Sequence, residues 1–238
     1  MKKTLSLIFL ISIVACNLNV LPPITRSQDG KRVGEARYEG NKMLVRVDNK
    51  DEKKYSRIWG FTFSPNSTSY AYFASDLLLF GEDYIALIVD GVERKRYHSK
   101  GPGQYYIHET ETPIFNHDGT RIAYRVEKSN YGRNVKTFFV IDGKELYLGR
   151  DYNRSADAKR ELEALLAVPI ELAEAYASFE SGKDHLTFDT LVKAGSTGLI
   201  EPLNFILKSK DFDPKFRVIV AGALGEIRDT RAIEPLMS

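Results

Sequence analysis

Hydrophobic and polar positions follow three successive rhythms along the chain. A mainly apolar run covers Leu5–Val14. From Met43 to Gly149 short apolar runs such as "YIALIV" (from Tyr84) and "TFFVI" (from Thr137) are cut by Asp-Gly pairs at Asp90-Gly91 and Asp142-Gly143. Runs of that length bounded by turn residues predict strands, and a two-residue Asp-Gly loop predicts a type I′ hairpin, because both of its positions need positive φ. From Ala156 to Glu180 the spacing becomes helical, with Leu162, Leu165, Leu166, Leu172, Ala173, Tyr176 and Phe179 on one side. Pro169 should split that helix and Gly182 cap its end. The apolar side reads as core, packed on the sheet or on the next helices, rather than as a binding groove. Further on, Asp213 is an N-cap with Pro214 at the first helical position, and Phe216, Val220, Ala223, Leu224 and Ile227 form one stripe.

The strand region repeats itself. "FSPNSTSYAY" from Phe63 returns 52 residues later as "FNHDGTRIAY" from Phe115, and Asp90-Gly91 and Glu93 return as Asp142-Gly143 and Glu145. Asn66-Ser67 stands where the second copy has Asp118-Gly119, Asn being the residue after Gly that best tolerates the left-handed region. A partial copy, "VRVDNKDEKKY" from Val45, carries the second half only. These turns predict an antiparallel meander.

The motifs "FSPNSTSYAYFA", "FNHDGTRIAYR" and "VIDGKE" resemble the WD-like repeats of bacterial Tol-type β-propellers, over about Met43 to Gly149. The resemblance implies a scaffold that presents loops to protein partners. A propeller closes with about 4–8 blades, so two copies and a half predict an open, incomplete propeller-like meander or a sheet covered by the following helix.

A second repeat has another period: "LIEPL" at Leu199 returns as "AIEPL" at Ala232, 33 residues on. With "DPKFRVIVAGALGEIRDTRAIEPL" between them, the region from about Thr187 resembles short bacterial HEAT repeats. That resemblance implies that Arg217 and Asp229 help stack neighbouring units. A related family acts on bilin chromophores, but one and a half units without its other motifs imply no enzyme. Solenoids need about three units and a polar cap, so Val218, Ala221 or Leu224 should lie exposed, awaiting further repeats or a partner. The expected fold is therefore mixed α and β and multi-domain, an antiparallel β-meander over 41–150 followed by connecting helices over 151–185 and a HEAT-type segment over 186–238.

The amino terminus is an address. Lys2 and Lys3, the apolar run and "IVAC" ending at Cys16 have the layout of an export signal, and the run is far short of the roughly 20 residues that span a bilayer. "Ile-Val-Ala-Cys" resembles a lipobox, which implies cleavage after residue 15 and lipidation of Cys16. Cys16 is the sole cysteine, so no internal disulfide can form. Asn17 follows, where inner-membrane retention would require Asp, which favours the outer membrane in a two-membrane cell. Residues 16–40, polar and without periodicity, read as a flexible tether.

Charge and chemistry narrow the function. The 34 basic and 32 acidic residues become 32 and 32 once Lys2 and Lys3 leave with the signal. A chain without net charge lacks a nucleic-acid footprint, and Arg94, Lys95, Arg96 and Lys100 read as a solvated strand edge. His98, His108, His117 and His185 have no metal spacing, "GPGQYY" at Gly101 lacks the helix and lysine of a phosphate loop, and no nucleophile elbow occurs. No cofactor, metal site, catalytic residue or small-molecule substrate is expected. The expectation is a lipid-anchored envelope scaffold acting through protein partners, the alternative being an accessory subunit or remnant of an envelope enzyme.

Overall fold

The computed structural model describes residues 24–76, 83–100, 102–130, 133–148 and 156–232. Its strands build three antiparallel sheets in chain order. The first contains β1 (Ile24–Arg26), β2 (Val33–Glu39), β3 (Lys42–Val47) and β4 (Lys50–Asp51). The second contains β5 (Arg57–Phe63), β6 (Tyr70–Asp76), β7 (Tyr84–Val89) and β8 (Val92–His98). In the third, β9 (Pro102–Tyr106) and β10 (Ile114–Phe115) both pair with β11 (Ile122–Asn130), which continues to β12 (Arg133–Ile141) and β13 (Lys144–Tyr147).

One hydrogen-bonding scheme recurs in all three sheets. The turn before the second strand is Ser27–Arg32, Ser64–Ser69 or Asn116–Arg121. In each, the side chain of the first residue accepts the backbone N–H of the sixth, at 2.9 Å in every case. The fourth residue is left-handed: Gly30, Ser67 and Gly119 have φ of 70°, 62° and 74°. In the middle copy Ser67, not Asn66, therefore takes the strained position, while the Asn66 side-chain Oδ1 accepts from the Thr68 amide at 3.1 Å. The second hairpin has positive φ at both central residues in Asp48-Asn49, Asp90-Gly91 and Asp142-Gly143, the type I′ geometry. The aspartate of each also accepts the N–H that opens the second strand, from Val33 at 2.9 Å, Tyr70 at 3.0 Å and Ile122 at 3.0 Å.

The repeat thus has three copies. The first half of the first copy, Ser27–Arg32, falls within residues read from sequence as tether, and β1 and β2 replace that tether from Ile24 onward. Its periodicity is faint because the positions facing the second sheet begin with Gly34 and Ala36, which pair with Val47 and Val45. Gly34 is required there, since a Cβ would overlap the Phe61 ring.

The sheets are stacked as layers. Met43, Val45 and Val47 pack on Tyr72, Ala74 and Ile88 between the first and second. Trp59, Phe73, Leu87 and Tyr97 pack with Tyr124, Val126 and Val140 between the second and third. Phe139, Ile141, Leu146 and Leu148 on the far face of the third sheet meet the helices in a core that continues to Leu224. The opposite end of the stack is polar: Arg37 and Arg46 both bond Asp51 on the outward face of the first sheet.

The helices are α1 (Ala156–Leu166), α2 (Ile170–Glu180), α3 (Asp184–Ser196), α4 (Ile200–Lys208) and α5 (Pro214–Ile227), then a 3₁₀ turn at Thr230–Ala232. Pro169 separates α1 from α2, and Gly182 at φ 79° ends α2 with its N–H on the Phe179 carbonyl. Asp213 caps α5 by accepting the Lys215 N–H at 2.7 Å. Tyr176 of α2 joins Phe179, Phe212 and Phe216 in one aromatic cluster, and its hydroxyl donates to the buried Glu161. Val218 is 71% exposed, but Leu224 is buried against α3 and not presented to solvent. The stripe of α5 follows the spacing, with Phe216, Val220, Ala223 and Leu224 buried and Ile227 packed against them, and its open side is Val218.

Candidate functional site

The site is built where the third sheet gives way to α1. Gly60 in β5 has φ 65°, and a Cβ there would run into the Glu111 carbonyl, with the Thr112 Cα at 3.2 Å. The segment linking β9 to β10 therefore lies directly on the β5 backbone. Arg57 to Glu109 (2.8 Å), His108 to Glu127 (3.1 Å) and Arg125 to Glu111 tie it down. Pro113 then turns the chain into β10, a strand of two residues that pairs only with β11 among the described residues.

Between this strand and α1 runs a groove of about 590 Å³. Phe63, Ile114, Phe115, Phe139 and Leu162 supply its apolar lining, while the Arg125–Glu111 pair and the Lys159–Glu163 pair supply charges of both signs. It continues past Pro65 and Glu163 into a second hollow lined by His117, Asp118, Arg121, Asp142 and the end of α1.

Arg121 closes the far end of this groove. Its Nε donates to Asp142 at 2.7 Å, and its Nη1 donates to the carbonyls of Leu166, at 2.9 Å, and Val168. Those carbonyls lie at the last residue of α1 and in the link to α2, where backbone acceptors lack helical partners. Arg32 does the same two repeat units earlier, in the first sheet: its Nε donates to Asp48 at 2.8 Å and its Nη1 to the Thr68 carbonyl of the second sheet at 2.6 Å. In the middle copy Ser69 holds this position, and the link to the next layer is made by Asn66 donating to the Asp118 carbonyl. The helical region is thus keyed to the third sheet through the contact that elsewhere joins sheet to sheet.

Of the residues singled out from sequence, Asp118 and Asp142 line the groove, with Gly119 and Gly143 beside them in their turns. Bonds from the Thr120 hydroxyl and amide hold the Asp118 carboxyl below its ordinary range. Asp90 and Gly91 make the equivalent hairpin on the second sheet, outside the groove. Arg217 and Asp229 do not join each other: Asp229 bonds Arg231 through both carboxylate oxygens, which holds its carboxyl at about 2, and the Arg217 Nε is buried without a partner. Arg231, two residues from Asp229, takes its carboxylate, so the two residues implied by resemblance to stack neighbouring units are not bonded to each other. Arg94, Lys95 and Arg96 lie on β8, an edge strand, where Arg96 pairs with Glu93. Among the described residues no group of three or more His, Cys, Asp or Glu is placed to hold a metal ion. Cys16 and the signal lie outside the described residues.

No family model and no curated protein matches the chain. Among solved structures, the hydrazine synthase of Kuenenia stuttgartiensis is similar at 15% identity and a TM-score of 0.28. The alignment covers 50% of this chain and 37% of that one. So loose a superposition carries no argument about fold or activity.

Sequence reasoning missed Arg32, Arg121 and the groove. The arginines had a signal: "DGKRV" from Asp29 and "DGTRI" from Asp118 share Asp-Gly-x-Arg. The groove had none, since Phe63, Ile114 and Leu162 come from three elements distant in sequence.

Proposed function

We propose that the protein is a lipid-anchored scaffold of the bacterial cell envelope, which holds an extended segment of a protein partner in the groove between β10 and α1. The observation that carries this reading is the groove itself, floored by Phe63, Ile114 and Phe115 and edged by charge pairs already matched within the protein. Such pairs give register and selectivity rather than affinity, while the apolar floor supplies the burial that favours association. The export layout around Cys16 supports the address. Its single thiol, placed after an apolar run, suits acyl chains, of which more than one is needed for stable anchoring.

Both parts are testable. A photo-crosslinking residue at Phe115 or Lys159 should trap one envelope protein in living cells, whereas the same residue at exposed Lys193 on α3 should trap none. Cys16→Ser should abolish fatty-acid labelling and release the protein from membranes. No adduct at either groove position, in a chain that accumulates and folds normally, would overturn the scaffold reading. Labelling that persists in Cys16→Ser would overturn the anchor.

A further inference from the structure

The hairpin of β11 and β12 carries an unusual pair. In its register Lys128 lies directly opposite Lys136, and Lys128 lies opposite Tyr105 on its other side. Directly opposed residues share one face of a sheet, with Cβ atoms about 4.5–5.5 Å apart, and like charges there repel. The two lysines lean apart. The Lys128 Nζ sits 4.8 Å from the Tyr105 ring centre and 3.0 Å from its hydroxyl oxygen, while the Lys136 Nζ sits 5.1 Å from the Tyr147 ring centre. Between them opens a hollow of about 670 Å³, lined also by Asn130, Val135 and Phe138.

Most basic residues of the sheets have a carboxylate: Arg32 has Asp48, Arg46 has Asp51, Arg57 has Glu109, Lys144 has Glu174. Neither Lys128 nor Lys136 forms an ion pair among the described residues. Glu145 accepts the Tyr105 hydroxyl at 3.2 Å and does not ion-pair with Lys128, although its charge also favours the charged lysine. Because the Tyr105 hydroxyl accepts from it, Lys128 is held above its ordinary value and stays charged. Two cations, opposed on neighbouring strands and backed by aromatic rings, form an anion site whose own repulsion a bound anion would relieve.

We infer that the hollow between Lys128 and Lys136 binds a phosphate group, free or as the headgroup of a short phospholipid. The lysines take the phosphate oxygens, and Phe138 and Tyr147 flank whatever the phosphate carries. The site lies on the hairpin away from the groove and does not depend on the scaffold reading.

The test is thermal unfolding of the full chain with inorganic phosphate against chloride at equal ionic strength, repeated with dihexanoyl phosphatidic acid below its micelle concentration. A ligand that binds the folded state alone raises the melting temperature with concentration. A rise with both ligands identifies the phosphate group alone as sufficient. A rise with the phospholipid only identifies a headgroup site. No rise with either overturns the proposal. Lys136→Glu supplies the missing counter-charge, so the ligand-free protein should melt higher while phosphate affinity falls at least about tenfold. Lys136→Gln should lose the same affinity without the added pair. A phosphate effect unchanged in both variants would place binding elsewhere and overturn the site.

Discussion

At the scale of single residues, the strained and the charged positions carry the fold's specificity. Gly143 has open space around it, so Gly143→Val should cost only the backbone strain of a β-branched residue at φ 83°, on the order of 1–3 kcal/mol. Gly91 sits against the Glu52 carboxylate, which accepts from the Tyr70 hydroxyl at 2.7 Å. Gly91→Val must therefore strain the turn and also displace Glu52, and its urea midpoint should fall further than that of Gly143→Val. Equal wild-type midpoints for both would refute the type I′ assignment. Asp76 shows the electrostatic counterpart. Burial would raise its carboxyl, but the bonds from Lys42, from the Ser56 hydroxyl and from the Ser56 amide hold it below 3.8. A carboxyl lowered in the folded state stabilises above its unfolded value, and that contribution is lost as pH falls through the folded one. Asp76→Asn should thus cost about 1–3 kcal/mol at neutral pH, with the gap to wild type closing as pH drops below 3.8. A gap that stays constant down to acid pH would show that Asp76 acts through shape alone.

At the scale of elements, legibility followed chemistry that stays local. The hairpins at Asp90-Gly91 and Asp142-Gly143 were readable because positive φ at two adjacent positions nearly demands such residues. The split at Pro169 and the cap at Asp213 were readable because a missing N–H and a side-chain acceptor also act within one turn of chain. The first sheet was not, because Gly34 and Ala36 contribute little hydrophobicity to the pattern and close approach to Phe61 is a tertiary requirement. Nor was the break between β9 and β10 readable, since it is caused by the linking segment crossing Gly60 of another sheet. The groove is legible only once β5, β10 and α1 are brought together. The Arg121 clamp lies between these cases, its motif local and its acceptors remote. Arg121→Met removes a charged donor from the Leu166 and Val168 carbonyls and from Asp142, and should cost about 1.5–3 kcal/mol. In a double-mutant cycle, Asp142→Ala in the Arg121→Met background should cost less than in the wild type, because the pair has already been lost. Strictly additive costs would mean that the clamp does not act as a unit.

At the scale of the whole molecule, the layers explain why sheets and helices belong together. Each face between layers is apolar on both sides, whereas the outward face of the first sheet is closed by Arg37, Arg46 and Asp51. The far face of the third sheet has no such polar finish. Ala123, Phe139, Ile141 and Leu146 are at most 5% exposed, and α1 and α2 are what cover them. The helices therefore occupy the place that a fourth sheet would take in the stack, and the same core runs through them to Phe216 and Leu224. A contiguous core of this kind should unfold as one cooperative unit, so sheet and helix signals should share a urea midpoint. Removal of the helices should be far worse than the loss of their own contacts. A chain ending at Leu148 would bare Phe139, Ile141, Leu146 and Leu148 on one flat face. Contiguous apolar patches of that kind drive association, so this fragment should bind a hydrophobic dye and aggregate. Replacing Phe139, Ile141 and Leu146 by Thr, Thr and Lys should restore a soluble fragment that keeps strand signal and the Trp59 environment of the second core. A fragment that is monomeric and dye-free without those changes would show that the third sheet is finished on its own, and that the helices are an attachment to the stack, not its last layer.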